Sequence, residues 1–180
     1  MYKYNVKMQK DLEYNIRWAV EQDAKELGFI HSQAWRVEYK NIITDEILEK
    51  YTPEKREEYF KNAIIYKTEE TAVIESSGKV IGFITLGQSR DIDSTSECGE
   101  VWGIYLSPDY WRRGFGTILL NWGLKELGLR GFIKVTLWVL EDNKHAQSFY
   151  EKHGFKFDGT AKAIELGKPL NEVRYIKHCY

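Results

Sequence analysis

The chain has little of several things, and each shortage narrows its function. Only two cysteines, Cys98 and Cys179, occur in 180 residues. They are far apart and match no metal-ligand spacing, so neither a zinc site nor a disulfide framework is implied. Two free thiols in a reducing compartment is the default, with a bridge requiring that their two strands meet. Charge is nearly balanced, with 26 basic against 27 acidic residues. Without a basic excess there is no general attraction to nucleic acid or to an anionic membrane. No apolar run approaches the roughly 20 residues of a membrane-spanning helix. The most apolar stretch, residues 131–140, is interrupted by Lys134 and has the length of a strand. Residues 1–10 are polar, carry Lys3, Lys7 and Lys10, and lack the apolar core of a signal peptide. The expectation is a soluble, cytoplasmic protein. Prolines number three, without clustering, and no repeat, linker or low-complexity tract divides the chain. A single domain over residues 1–180 is the simplest organisation.

Aromatic residues, in contrast, are plentiful at 14%, including six tryptophans and twelve tyrosines. Most belong in a core, but a polar handle on a large apolar body also suits a pocket wall.

Periodicity gives the elements. Ile16, Trp18 and Val20 alternate with polar or small neighbours as a first strand. Asp23, three residues before Glu26, starts a helix with Leu27, Ile30, Ala34 and Trp35 on one side. Thr52-Pro53 starts a second helix. Residues 71–76 and 79–87 flank Ser77-Gly78 as a hairpin. Residues 99–106 form a strand that ends at Ser107-Pro108. A glycine-containing turn at 112–116 leads into a helix through Ile118, Leu119, Trp122 and Leu127, closed near Gly128. Residues 132–140 are the strongest strand. Asn143 caps a helix with Ala146, Phe149, Tyr150 and His153 inward, ended by Gly154. Two further strands lie near 155–163 and 172–179. Strand-helix-strand-helix at the centre predicts a partly parallel sheet covered on both faces, with antiparallel additions outside it. The class is mixed α/β.

The turn Arg112-Arg113-Gly114-Phe115-Gly116-Thr117 is the most informative segment. It joins a strand to a helix whose first N–H groups lack internal partners. The helix dipole favours anions there, and Gly114 and Gly116 permit close backbone approach. Arg112 and Arg113 add two guanidinium forks suited to phosphate. Alone, the segment reads more readily as a plain tight turn with two solvated arginines. No Gly-Lys-Ser/Thr follows it, and the dinucleotide glycine pattern fails at Leu119.

A longer pattern decides between these. Glu100-Val-Trp-Gly-Ile-Tyr-Leu-Ser-Pro108 runs into Tyr110-Trp-Arg-Arg-Gly-Phe-Gly-Thr-Ile-Leu-Leu120. Leu137-Trp-Val-Leu-Glu-Asp-Asn143, Ala146 and Phe149-Tyr-Glu-Lys-His-Gly-Phe155 follow. This combination resembles the GNAT superfamily of acyl-coenzyme A-dependent N-acetyltransferases. Ile16-Arg17, Asp23-Ala24, Trp35-Arg36 and Glu172-Val-Arg-Tyr175 extend the resemblance over nearly the whole chain. One departure is Trp111, where the family signature often has Gln or Arg.

The resemblance implies a GNAT fold, with a mostly antiparallel mixed sheet, a splayed central parallel strand pair and flanking helices. It implies acetyl-coenzyme A as co-substrate, its pantetheine arm along the exposed backbone of Ile104, Tyr105 and Leu106. Arg112, Arg113, Gly114, Phe115, Gly116 and Thr117 would then face the pyrophosphate, with Asn143 and Tyr150 near the thioester. Asn143 also explains itself as a helix cap. The reaction implied is acetyl transfer to a primary amine on a small molecule or peptide, with no metal. The alternative is a non-catalytic module that binds or senses acyl-coenzyme A. A homodimer is common in proteins of this type, and the sequence neither requires nor excludes one.

Two residues are candidates for catalysis. Glu100 is the candidate base, since strand alternation gives it the parity of Ile104 and Leu106. A solvent-facing carboxylate is the plainer reading. Tyr150 is the candidate acid toward the leaving thiolate, unless it simply packs in the core. The Leu106 N–H is a candidate to polarise the thioester carbonyl. Trp35, Tyr39, Trp102 and Trp138 are candidate walls of the acceptor pocket. Asp91, Asp93 and Glu97 form an acidic loop that would either attract a cationic amine or remain solvated. His31, His145 and His153 read as structural.

Overall fold

The structure is a computed structural model that describes residues 13–179. The polar start at residues 1–10 lies outside the described residues.

Among the described residues, seven strands form one sheet. They are β1 (Asn15–Trp18), β2 (Glu70–Ser76), β3 (Lys79–Gln88), β4 (Cys98–Leu106), β5 (Lys134–Leu140), β6 (Lys156–Glu165) and β7 (Pro169–His178). Their order is β1-β2-β3-β4-β5-β7-β6, and only β4 and β5 run parallel. Among the described residues the α-helices are α1 (Ala24–Glu38), α2 (Asp45–Lys50), α3 (Pro53–Tyr66), α4 (Phe115–Leu129) and α5 (Lys144–Lys152). This is the single α/β domain expected, with a mostly antiparallel sheet around one parallel pair.

The two faces of the sheet carry different helices. On one face Ile84, Leu86, Val101, Val135, Leu137 and Val139 pack with Leu119, Leu120 and Leu127 of α4, and Phe149 and Tyr150 of α5 join them. On the other, Val73 and Phe83 pack with Leu27 and Ile30 of α1 and Phe60 of α3. Helices α1 and α3 touch closely at Gly28, where a Cβ would lie 2.5 Å from the Glu57 backbone nitrogen.

The turn chemistry read from the sequence forms much as expected. Thr52 Oγ1 accepts from the Lys55 N–H at 3.3 Å, with Pro53 at the first helical position. Ser77 and Gly78 both take positive φ in the β2–β3 turn. Asn143 Oδ1 accepts from the Ala146 N–H at 3.0 Å. The start of α1 differs. A 3-10 turn, Glu21–Asp23, precedes the helix, and Asp23 reaches back to accept from the Val20 N–H at 2.8 Å. The carboxylate also receives the Arg17 guanidinium through two hydrogen bonds, which hold it below the ordinary carboxylate range against the opposing effect of burial. Helix α2 was not legible, because six residues with one buried leucine carry too little period.

Beyond the three pairs Cys98–Lys134, Gly99–Val135 and Glu100–Thr136, β4 and β5 part company. From there to Leu106 the edge of β4 that faces β5 has no strand partner among the described residues. The register also places the two thiols. Cys98 opposes Lys134, which opposes His178 on the far side, so Cys179 lies about 10 Å away across two strand spacings. Both cysteines are free.

A bulge in β4 corrects the expected parity of Glu100. Leu86 pairs with Val101, but Thr85 pairs with Gly103, so Trp102 is the extra residue. Such an insertion reverses the alternation beyond it. Glu100 therefore shares a face with Gly103 and Tyr105 and turns away from that of Ile104 and Leu106.

Candidate active site

The gap between β4 and β5 opens into a cavity of about 480 Å³. Of the candidate residues, Glu100, Ile104, Tyr105, Leu106, Arg112, Gly114, Gly116, Thr117, Asn143 and Tyr150 line it. Two others do not. The Phe115 ring is buried in the core beside Tyr110, and the Arg113 guanidinium lies 5.3 Å from the Tyr110 ring. Those two residues reach the turn with backbone alone.

The turn itself is conformationally demanding. Gly114 takes φ 93° and Arg112 takes φ 60°, both in the left-handed region. Glycine pays nothing for this, whereas arginine is strained, a feature that gathers at functional sites. Helix α4 has no side-chain cap, and its first internal bond runs from the Ile118 N–H to the Gly114 carbonyl. The N–H groups of Phe115, Gly116 and Thr117 therefore have no partner within the helix. At Gly116 a Cβ would stand between Leu106 and Phe149 at 3.5 Å from each, inside the cavity rim. Free donors, a dipole end and glycine-wide space beside an unpaired strand edge fit a pyrophosphate followed by an extended amide chain.

Trp111 replaces the family's usual polar residue in a way the sequence did not suggest. Its indole Nε1–H donates to the Leu106 carbonyl at 2.8 Å. His153, just past α5, places one ring nitrogen 3.0 Å from Thr117 Oγ1 and the other 2.7 Å from the Phe149 carbonyl.

Tyr150, half-buried, lines the gap. Burial raises its hydroxyl well above the ordinary value, and the nearby Tyr105 hydroxyl and Glu38 add to the effect. Tyr105 is likewise raised by burial, opposed by its contacts with Trp35 and Tyr39. Its oxygen accepts from Trp35 Nε1–H at 3.2 Å.

Glu100 is 1% exposed, so it is not the solvent-facing carboxylate of the plainer reading. Both its oxygens are engaged by one residue. The Arg90 backbone N–H donates to Oε2 at 2.9 Å, and Arg90 Nη2 to Oε1 at 2.5 Å. Nothing in strand spacing points to Arg90, which comes from the loop before β4.

Trp35, Tyr39, Trp102 and Trp138 all line the cavity as expected of walls, joined by Ile43, Leu166, Glu38, Lys162 and Glu172. Ile43 and Leu166 belong to a cluster in which the α1–α2 connection packs against the β6–β7 turn. The acidic loop is neither free nor solvated throughout. Asp91 and Asp93 bind Arg174 of β7 at 3.1 and 2.6 Å, and Asp91 also accepts from Trp138 Nε1–H at 3.0 Å. His31 is buried among Trp35, Tyr51, Phe60, Phe83 and Tyr105, as a structural histidine should be. His145 stands 3.4 Å from Glu38.

A sheet split beside an uncapped helix, with the half-buried Tyr150 lining the gap, suits an acyltransferase. Residues 35–155 match the profile of the acetyltransferase (GNAT) family, and the chain belongs to that family. Spermidine N(1)-acetyltransferase of Thermoplasma acidophilum is 25% identical over 154 residues, covering 83% of this chain and 92% of that protein. The uncharacterized N-acetyltransferase YuaI of Bacillus subtilis is 29% identical over 128 residues, 71% of this chain and 72% of that one. In fold, the chain is similar to the PaiA N-acetyltransferase from Thermoplasma acidophilum, solved in complex with coenzyme A. That comparison gives a TM-score of 0.77 at 24% identity, over 93% of this chain and all of the other.

Proposed function

We propose that the chain transfers acetyl from acetyl-coenzyme A to the primary amine of a small molecule by direct attack on the thioester. The observation that carries this is the unpaired edge of β4 running to the uncapped start of α4. The pantetheine amides pair with the backbone at 104–106, and the pyrophosphate takes the free N–H groups of residues 115–117 with Arg112. Packing of the α1–α2 connection against the β6–β7 turn narrows the acceptor side and favours a small amine over a folded protein.

An amine of ordinary pKa is neutral in about one part in a few thousand at pH 7, and only that form attacks. Aromatic walls that strip water from the amine favour its neutral form. Glu100, with both oxygens already accepting from Arg90, receives the departing proton through a water. The amine nitrogen bonds to the carbonyl carbon, the carbon–sulfur bond breaks, and the thiolate leaves. Tyr150 donates a hydrogen bond to that sulfur. Its raised pKa makes full proton transfer costly, so stabilisation of the developing charge is its main contribution.

The test combines thermal shift with thiol release. Acetyl-coenzyme A at 100 times its dissociation constant should stabilise the fold by about 2.7 kcal/mol. An amine should then release free thiol, and Tyr150→Phe should slow release about 100-fold while leaving the shift in place. A shift without release from any amine would favour a non-catalytic acyl-coenzyme A-binding module. No shift would sink the reading.

A further inference from the structure

The acceptor end of the cavity carries two cations, each resting on a tryptophan. The Arg90 guanidinium lies 4.4 Å from the Trp102 ring, and Lys162 Nζ lies 3.9 Å from the Trp138 ring. All four residues line the same cavity. Each cation is also held by a carboxylate less exposed than itself. Arg90, with its side chain 57% exposed, pairs with Glu100, which is 2% exposed. Lys162 at 47% pairs with Glu172 at 25% over 3.2 Å.

These contacts leave donors unused. A guanidinium has five N–H groups and an ammonium three, and an indole face and one carboxylate do not exhaust either set. The indole and the buried acid fix each head from one side, and the remaining N–H groups are left to the cavity and solvent. The third wall carboxylate, Glu38, stands 3.4 Å from His145 of α5. Each cation thus stands beside a wall carboxylate, Arg90 beside Glu100 and Lys162 beside Glu172, while Glu38 faces the His145 imidazole.

We propose that the acceptor is an amine that also bears a carboxylate, and that Arg90 and Lys162 hold that carboxylate at the mouth. The proposal rests on the acetyl-transfer reading above and names its second substrate. An α-amino acid has the required chemistry, with an ammonium directed inward and a carboxylate outward. A polyamine would bring a second cation against Arg90 and Lys162.

The supporting network explains how the mouth keeps its shape. Asp91, next to Arg90 in the chain, receives the Trp138 indole and is itself tied to Arg174. One short loop therefore positions both cation-bearing walls.

The experiment follows thiol release at saturating acetyl-coenzyme A with the twenty common amino acids, their amides, the matching decarboxylated amines and spermidine. A carboxylated acceptor should exceed its own amide and decarboxylated amine by at least tenfold in kcat/KM. Lys162→Gln should raise KM for that acceptor at least fivefold, with kcat nearly unchanged and the amide unaffected. Arg90→Lys should raise the same KM and also lower kcat for every acceptor, because it alters the contacts that hold the base Glu100. Equal use of acid and amide, preference for spermidine, or a Lys162→Gln effect common to all acceptors would overturn the assignment while leaving acetyl transfer intact. Absence of thiol release with every amine would overturn acetyl transfer itself.

Discussion

His31 shows what a single ring does to pH dependence. Burial among five aromatic rings, with the Arg56 charge adding to it, lowers its pKa from the ordinary 6.5 to about 2. Its Nδ1 is buried without a partner. The native protein therefore keeps His31 neutral where the unfolded chain takes up a proton. The resulting stability is fully present above about pH 6.5 and is lost as pH falls from there toward 2. Each unit below 6.5 should cost about 1.4 kcal/mol. Chemical denaturation across about pH 4.5 to 6.5 should show this slope in the native chain, and His31→Phe should flatten it. An unchanged slope would mean that the ring is protonated in the fold. The sequence identified His31 as structural, but its aromatic surroundings come from α1, α3, β3 and β4 and only the tertiary structure assembles them.

Among the elements, α1 matters most because it carries Trp35 and ends at Glu38, while its position depends on Gly28. A methyl group there would press on the α3 backbone at Glu57 N and Pro53 O, at 2.5 and 2.6 Å. Backbone cannot swing aside as a side chain can, so Gly28→Ala should cost about 1–3 kcal/mol. Denaturant titration would read that loss, and KM for the amine should rise while affinity for acetyl-coenzyme A holds. At this scale the sequence was most legible where chemistry is local. Thr52-Pro53, Ser77-Gly78, Asn143 and Gly154 each carry their own stop or start signal. It failed at Trp102, because a bulge appears only in the partner strand's register. Simple alternation therefore assigned Glu100 to the wrong face. Arg90, Lys162 and Glu172 were missed for a related reason: their roles depend on partners brought in from other elements.

At the scale of the whole molecule, the sheet consists of two parts joined by three residue pairs. Arg174 fastens them a second time, reaching from β7 to Asp91 and Asp93 in the loop before β4 and to Asp158 beside it at 2.8 Å. Asp93 and Asp158 are held below the ordinary carboxylate range, Asp93 chiefly by its hydrogen bonds to Arg174 and Asp158 by bonds to Thr160 and Arg174 that outweigh burial. Arg174→Met would leave these acids facing one another without a cation. The expected loss is about 3 kcal/mol, from the largely buried Asp91 and Asp158. For a chain of this size that corresponds to a fall of about 10 °C in Tm, measurable by calorimetry. The loss should shrink as pH drops through the acids' folded values, since protonated carboxylates no longer need the guanidinium.

The hydrogen bond between Trp111 and the Leu106 carbonyl has an optical consequence. An indole's emission depends on what its N–H meets, and this one meets the edge along which an incoming amide chain would lie. The protein thus carries a fluorophore of its own at the threshold of the gap, and the share of emission lost in Trp111→Phe, one indole of six, would track who sits there without any dye being attached.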